Sequence, residues 1–400
     1  MIAVTISTLT FQTNALDQME ALQTALSKTQ TELSTGKQIQ SAADNPTGMA
    51  QVNQLNAELS ASQQYVTNGN LATSNLQLEA QALSDATNLL QSARDLAVQA
   101  NNAALSSSQR QDIATQLSQQ LQQLVAIGNR TDGNGNYLFA GYASNTEPFA
   151  QNGGSVTYQG ADETGQAQIS GNQRISSGDT GSSVFMNIAA GNGTFTTAAA
   201  ASNSGTASIG PGTVIDASAW VKDTYTIDFT SPTAYQVTNS GGTVVGSGTY
   251  DPTSGGTIAF KGVQVAISGS PAAGDQFTVA PAGTTSAFAT LSGLATTLSS
   301  TTLSTGQLTT RINQALEQID GAVNKLGDVQ ASVGARLNAV TAAQSTEQSN
   351  QTNYQTSISG IADTNYAAAT TQLSTEELAL QAAEESYASL SKLSLFNYVS

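Results

Sequence analysis

The stretch Glu32–Gln51, ELSTGKQIQSAADNPTGMAQ, decides how this chain is read, because it stops one heptad pattern and starts another. Behind it runs a short apolar seam of Ala15, Met19, Leu22, Leu26, Thr29 and Leu33. Ahead of it a far longer seam begins at Val52. Gly36 suits a helix C-terminus, where a left-handed residue closes the last turn. Asp44-Asn45-Pro46 suits a helix start, with a side-chain cap and proline in the first turn. The spacing predicts a helix over about 8–35, a deliberate stop, and a second helix from Pro46.

Beyond the stop, a 3-4 spacing runs through Val52, Leu55, Leu59, Ser62, Val66, Gly69, Thr73, Leu76, Ala80, Leu83, Thr87 and Leu90 without a proline. A helix from 46 to 102 would be roughly 80 Å long, too long for a compact globule. A third helix is expected over about 107–127, with Ile113, Leu117, Leu124 and Ile127 on one face. Thr131–Asn136 carries tight-turn chemistry, and Tyr137-Leu138-Phe139 is expected to begin a strand.

Composition changes near residue 140. From there to about 283 the chain is rich in Gly, Ser and Thr, with alternating runs such as 225–229, 257–260, 263–267 and 276–279. This is antiparallel β patterning, with a hairpin region over 140–190 and a separate β domain over 190–283. The tract 197–208 reads as a loop or linker. Helical spacing then resumes, first in a short helix near 286–300. A long seam follows through Ile312, Leu316, Ile319, Val323, Leu326, Gln330, Val333, Leu337 and Val340, weakening toward Ile358. A second stop is expected at Ser359-Gly360 with Asp363. The last helix carries Tyr366, Ala369, Leu373, Glu376, Leu380, Ala383, Tyr387 and Leu390. The order is a palindrome: short helix, stop, long helix, β insert, long helix, stop, short helix. The expected fold is α+β, mainly α: a long-helix coiled-coil bundle built from both chain ends around a central antiparallel β insert. The expected domains are 1–45 with 357–400, 46–188 with 285–356, and 189–284.

Composition narrows function. Of 400 residues, 39% are apolar, enough for real cores, but only 10% are charged. Twelve Lys and Arg against a net charge of −16 cannot neutralise a phosphate track, which argues against nucleic acid and anionic membranes as partners. With no Cys and no His, thiol nucleophiles, histidine-based triads and nearly all zinc, haem and iron–sulfur sites are excluded, and no cofactor is expected. The N-terminal residues have no basic run followed by an apolar core, so no secretory signal is expected. No stretch approaches the roughly 18 apolar residues of a membrane span.

Several segments resemble the flagellin superfamily, in particular its hook–filament junction branch. They are Leu33–Lys37 with Ala43–Gly48, Gln64–Asn68, Leu90–Ala100, Gly133–Gly141, Val333–Asn338 and the closing Ser394–Tyr398. The resemblance covers about 1–150 and 285–400. The opening MIAVTIST departs from it in extra length and in lacking an early Arg. The resemblance implies a structural subunit of the bacterial flagellum that acts as an adaptor between hook and filament. It implies terminal helices at a tube core, a bundle outside them and an outer β domain. It further implies export through the flagellar type III route to the extracellular flagellum. The implied partners are neighbouring copies of the chain, another hook-associated protein, flagellin and a cytosolic export chaperone. A filament-forming flagellin is the alternative.

The terminal seams, Met19, Leu22, Leu26 and Leu33 with Tyr366, Leu373, Leu380, Tyr387 and Leu390, are short and weakly populated. They are expected to be assembly seams that order against neighbouring subunits. Arg94, Asp95, Arg336 and Asn338 are candidates for polar bundle contacts, or plain helix-surface residues. Asp44-Asn45 reads as a helix cap, and Gly133–Asn136 as a turn lacking an EF-hand's ligands. In the insert, Asp216, Asp223, Asp228, Asp251 and Asp275 offer carboxylates, but aspartates at turns occur in any β domain and no catalysis is expected. A glycan-binding or adhesive insert is a further alternative, with Trp220, Tyr225 and Tyr235 as exposed aromatics to test.

Overall fold

The computed structural model describes residues 8–396, with side-chain surroundings defined over 10–389. Among the described residues the α-helices are, in order, α1 Thr8–Thr35, α2 Pro46–Ala100, α3 Ser107–Gly128, α4 Ala287–Ser299, α5 Thr305–Ala362 and α6 Tyr366–Phe396, with one turn of π-helix at Ser182–Met186. All strands lie between α3 and α4. The fold is thus mainly helical with a central antiparallel β region. Two compact units form, one from the described parts of 1–66 and 345–400, the other from 67–344.

In the first unit α1 packs along α6, and the two helix stops face each other as a short two-stranded joint. Gly36 ends α1 in the left-handed region at φ +70°, and its N–H donates to Glu32 O at 2.8 Å. Lys37 and Asp363 form an antiparallel bridge, with Gln38 N donating to Ala362 O at 2.8 Å and Thr364 N to Gly36 O at 2.9 Å. The Lys37 ammonium and the Ser359 hydroxyl both bond the Asp363 carboxylate, which holds it below its ordinary range. The second stop lies later than its sequence suggests. Ser359-Gly360 stays inside α5, and the chain leaves the helix only at Asp363, where Lys37 offers a backbone and side-chain partner. Asn45 alone caps α2, accepting from Gly48 N at 2.9 Å. Asp44 instead closes the preceding turn, accepting from Ser41 N at 2.9 Å and Gln40 N at 3.2 Å.

In the second unit the long helices keep their heptad rhythm, but with a register different from the expected one. The buried line on α2 is Gly69, Ala72, Leu76, Glu79, Leu83, Ala86, Leu90, Ala93, Ala97 and Ala100. On α5 the corresponding line is Ile312, Ala315, Ile319, Ala322, Leu326, Val329 and Val333, then half-buried Arg336, then Val340 and Ala343. Every second member sits one residue before Thr73, Ala80 and Thr87, or Leu316, Val323, Gln330 and Leu337. Small alanines let backbones approach, and the seam therefore takes Glu79 and Arg336 where pattern reading takes Ala80 and Leu337. Ile113, Leu117 and Leu124 of α3 and Phe288 and Leu291 of α4 complete the same core. An aromatic group roofs it: Phe139 meets Phe185 edge-on at 5.2 Å, and Phe149 meets Phe288 at 4.8 Å. Tyr137 makes only an isolated antiparallel bridge with Thr131, and Leu138-Phe139 turn instead of starting a strand, because Phe139 is drawn into that core while the chain reverses at Gly141, φ +62°.

Two small hairpins follow α3, β1 Phe149–Asn152 with β2 Ser155–Tyr158, and β3 Gln166–Gln168 with β4 Arg174–Ser176. A short ladder of β5 Ile188–Ala189 with the later Thr284–Thr285 marks the neck of the insert. Within it are β6 Phe195–Ala199, β7 Ser208–Ile209, β8 Thr213–Val214, β9 Tyr225–Ser231, β10 Ala234–Thr238, β11 Val244–Thr249, β12 Gly256–Phe260, β13 Val263–Ser268 and β14 Gln276–Pro281, with β15 Thr284–Thr285 closing the neck. One sheet runs β11-β10-β9-β14-β6, the other β12-β13-β7 with β8 also on β13. Alternate residues, such as Tyr225, Ile227 and Phe229 on β9 and Val263, Val265 and Ile267 on β13, point into a second core of the insert's own. Lys261 and Gly262 both have positive φ (43° and 78°), forming a two-residue turn between β12 and β13. Of the tract expected as a loop or linker, 197–208, residues 200–207 are irregular as expected, while Thr197–Ala199 belong to β6 and Ser208 begins β7. The insert is fixed to the start of α5: Ile209 N donates to Thr310 Oγ1 at 3.1 Å and Gln307 Nε2 to Ala201 O at 3.0 Å.

Candidate functional site

Two kinds of surface stand out, the terminal seams and the polar steps of the long seams. On α1, Met19, Leu22, Leu26 and Leu33 are all half-buried, and only Thr29 of that face is closed off. On α6, Leu373, Leu380 and Tyr387 are half-buried, Ala369 is buried, and Tyr366 is 56% exposed. The side chain of Leu390 lies outside the described residues, as do Asn397 and Tyr398 of the closing motif. Phe11, Leu16 and Leu378 add exposed apolar surface to the same helices. A pair of helices whose apolar faces stay half open can bury more only against further helices. Tyr366 also meets the joint: a Cβ on Gly36 would lie 2.9 Å from its hydroxyl.

Polar side chains tie α2 to α5 at several steps. Ser62 Oγ donates to Glu347 Oε2 at 2.8 Å within the first unit, both residues buried. In the second unit Arg94 pairs with Asp320 at 2.6 Å, which strengthens the guanidinium's hold on its proton. Arg336 forms an ion pair with Asp179 and donates to Gly178 O at 3.2 Å, so α5 grips the turn after β4. Asp95 and Asn338 are exposed, with Asp95 adding only a weaker favourable field at Arg94. Glu79, absent from the sequence candidates, is 1% exposed and accepts from Asp179 N at 3.1 Å. A charged residue at a heptad step is passed over as surface. The signal that finds it is the alternate spacing 72, 76, 79, 83.

The insert's polar groups have structural roles. Asp275 is buried and accepts from Ser204 N and Ala272 N, both at 2.8 Å. Asp251 is held down at about 2 by bonds from Thr253 and Ser254. Asp216 bonds Ser218, Asp223 bonds Thr224 N, and Asp228 accepts from Gln236. Of the aromatics, Tyr225 is only 2% exposed, and Trp220 and Tyr235 are partly buried against the same core. They are therefore not exposed aromatics; packing with Phe195, Phe260 and Phe229 takes them inward. Among the described residues no three Asp or Glu gather to hold a metal ion, and no helix is long and apolar enough to cross a membrane.

Comparison with known proteins agrees with this architecture. The family model described as bacterial flagellin N-terminal helical region matches residues 6–144, and that described as flagellar hook-associated protein 1, D2-like domain, matches 198–281. Flagellar hook-associated protein 3 of Escherichia coli (strain K12) is 34% identical over 157 residues, 39% of this chain and 49% of that protein. That alignment spans about half the relative's length. The crystal structure of Xanthomonas campestris FlgL superposes with TM-score 0.71 at 33% identity, covering 76% of this chain and 99% of that one. Flagellar hook-associated protein-3 from Legionella pneumophila superposes at TM-score 0.73 and 29% identity, covering 78% and 98%.

Proposed function

The chain belongs to the flagellar hook-associated protein 3 (FlgL) family, and from that premise we propose that it is a non-enzymatic structural subunit joining the hook side of the flagellum to the filament. The observation that carries this reading is the pair α1 and α6, whose apolar seams remain half-buried in the single chain. Assembly is coupled folding and association: Met19, Leu22, Leu26 and Leu33 with Tyr366, Leu373, Leu380, Tyr387 and Leu390 close against neighbouring subunits. Arg94 and Arg336, with Asp95 and Asn338 at the surface, belong to the bundle that carries them. The three-part division 1–45 with 357–400, 46–188 with 285–356, and 189–284 is the working scheme, with the Lys37–Asp363 joint between terminal layer and bundle. Partners on this reading are lateral copies, a second hook-associated protein, flagellin and an export chaperone, with the product outside the cell on the flagellum.

Polymerisation tests it. Seeded or unseeded, the pure protein should not extend into long filaments, and its deletion should leave hooks bare while flagellin is shed as monomer. Extended homopolymers from the pure protein would instead make it a filament subunit.

A further inference from the structure

We propose that Glu79 is built into the bundle as an uncharged carboxylic acid and works as a proton-dependent latch, fastening the 176–181 segment to α2 and α5 more firmly at acidic than at alkaline pH. Glu79 occupies a buried heptad step of α2, and its Oε1 accepts from Asp179 N at 3.1 Å. Its Oε2 is buried and no donor reaches it, on the wall of a polar cavity of about 210 Å³ shared with Asn75, Asp132, Asn136, Tyr137 and Ser177. Arg336 of α5, the guanidinium that acts on Glu79, is paired with Asp179 and bonded to Gly178 O, while its Nε has no partner and makes no bond to Glu79. Glu79 therefore faces one carboxylate, one guanidinium already engaged by it, and, across the cavity, Asp132 and the Tyr137 phenol. A charged carboxylate with an orphaned oxygen in such a place costs far more than a neutral acid. Burial first, then the charge of Asp179 and a side-chain hydrogen bond to its carboxylate, push Glu79 up to about 8, against opposing pulls from Arg336 and the Asp179 N–H.

The direction of the latch follows. Its ordinary value is 4.5 and its folded value about 8, so the folded chain holds this proton more tightly than the opened one. The stabilisation is complete below 4.5, drains as pH rises toward 8, and changes no further above it. Opening of the segment should become more frequent by up to about tenfold per pH unit in that window.

Native-state hydrogen exchange of the full chain reads this directly, after correction for intrinsic exchange. Between about pH 6 and about pH 8, protection of peptides spanning 176–181 should fall roughly tenfold or more beyond the fall in Glu79→Gln, whose amide stays neutral throughout. The same loss in the variant as in the wild type overturns the latch. Should Glu79→Gln fail to fold, infrared titration of the wild-type chain decides. A carboxylic-acid band that disappears near pH 8 supports it, with Glu317→Gln removing the separate band of the other raised acid, at about 7. The absence of any acid band titrating near 8 overturns it.

Discussion

Leu83 and Leu26 are the same residue type in the same kind of heptad step, and their surroundings differ. Leu83 is shut off from solvent on α2, whereas Leu26 on α1 is half-buried. Truncating a closed-off leucine leaves a cavity, so Leu83→Ala should cost about 2–5 kcal/mol of unfolding free energy in urea titration. Leu26→Ala should cost the single chain about 1 kcal/mol or less and yet abolish assembly. Equal losses in urea would mean that the α1–α6 seam is already a finished core. Glu317 on α5 carries a second residue-scale expectation. Partial burial, then the neighbouring Asp320, raises it to about 7 from 4.5. Folding thus favours its protonated form, and the stability it contributes is full below 4.5 and lost as pH climbs to about 7. Glu317→Gln should flatten that part of the melting-temperature profile between acidic and neutral pH. An unchanged slope would show that Glu317 is solvated enough to titrate normally.

At the scale of elements, most of the fold was legible, since helix stops are chemical and period is robust. Gly36 and Asn45-Pro46 bound α1 and α2 because a left-handed glycine and a capped proline start admit little else. The β insert was legible in its alternation, although short strands such as β6 hid in an Ala/Thr-rich tract with no large residues to mark a face. What the pattern could not decide is which of two adjacent residues takes each alternate heptad step. Thr73 or Ala72, and Leu337 or Arg336, satisfy the same spacing, and the choice rests on how closely neighbouring elements approach. That ambiguity concealed Glu79 and left Arg336 as a candidate without a partner, because Asp179 lies 157 residues away in sequence. The half-closed terminal pair has its own consequence. In the isolated chain, α1 and α6 should exchange amide hydrogens far faster than α2, α3 and α5, because few buried apolar contacts hold them. Strong protection over Leu22–Leu33 and Leu373–Leu380 would show that they need no neighbours.

For the whole molecule, the scarcity of charge and the joint belong to one argument. A chain with only 10% charged residues leaves much of its surface to Gln, Asn, Ser and Thr, neutral hydrogen-bonding faces that can pack against identical copies even though each copy carries a net charge of −16. Such faces need correct placement more than strong attraction, and placement depends on the joint. There both chain ends change direction at once, through the Lys37–Asp363 bridge and a glycine at φ +70° that no helix can absorb. Replacing Gly36–Asn45 with helix-forming residues would run α1 toward α2 and discard the backbone bonds that Gln38 and Thr364 make across the joint. The core of 67–344 includes none of those residues, so its urea midpoint should move little. Filament growth from hooks, measured in cells carrying the variant, should fall sharply. If growth and bundle stability decline together, the joint is merely a loop within one folding unit, and the terminal helices are not a separately ordered layer.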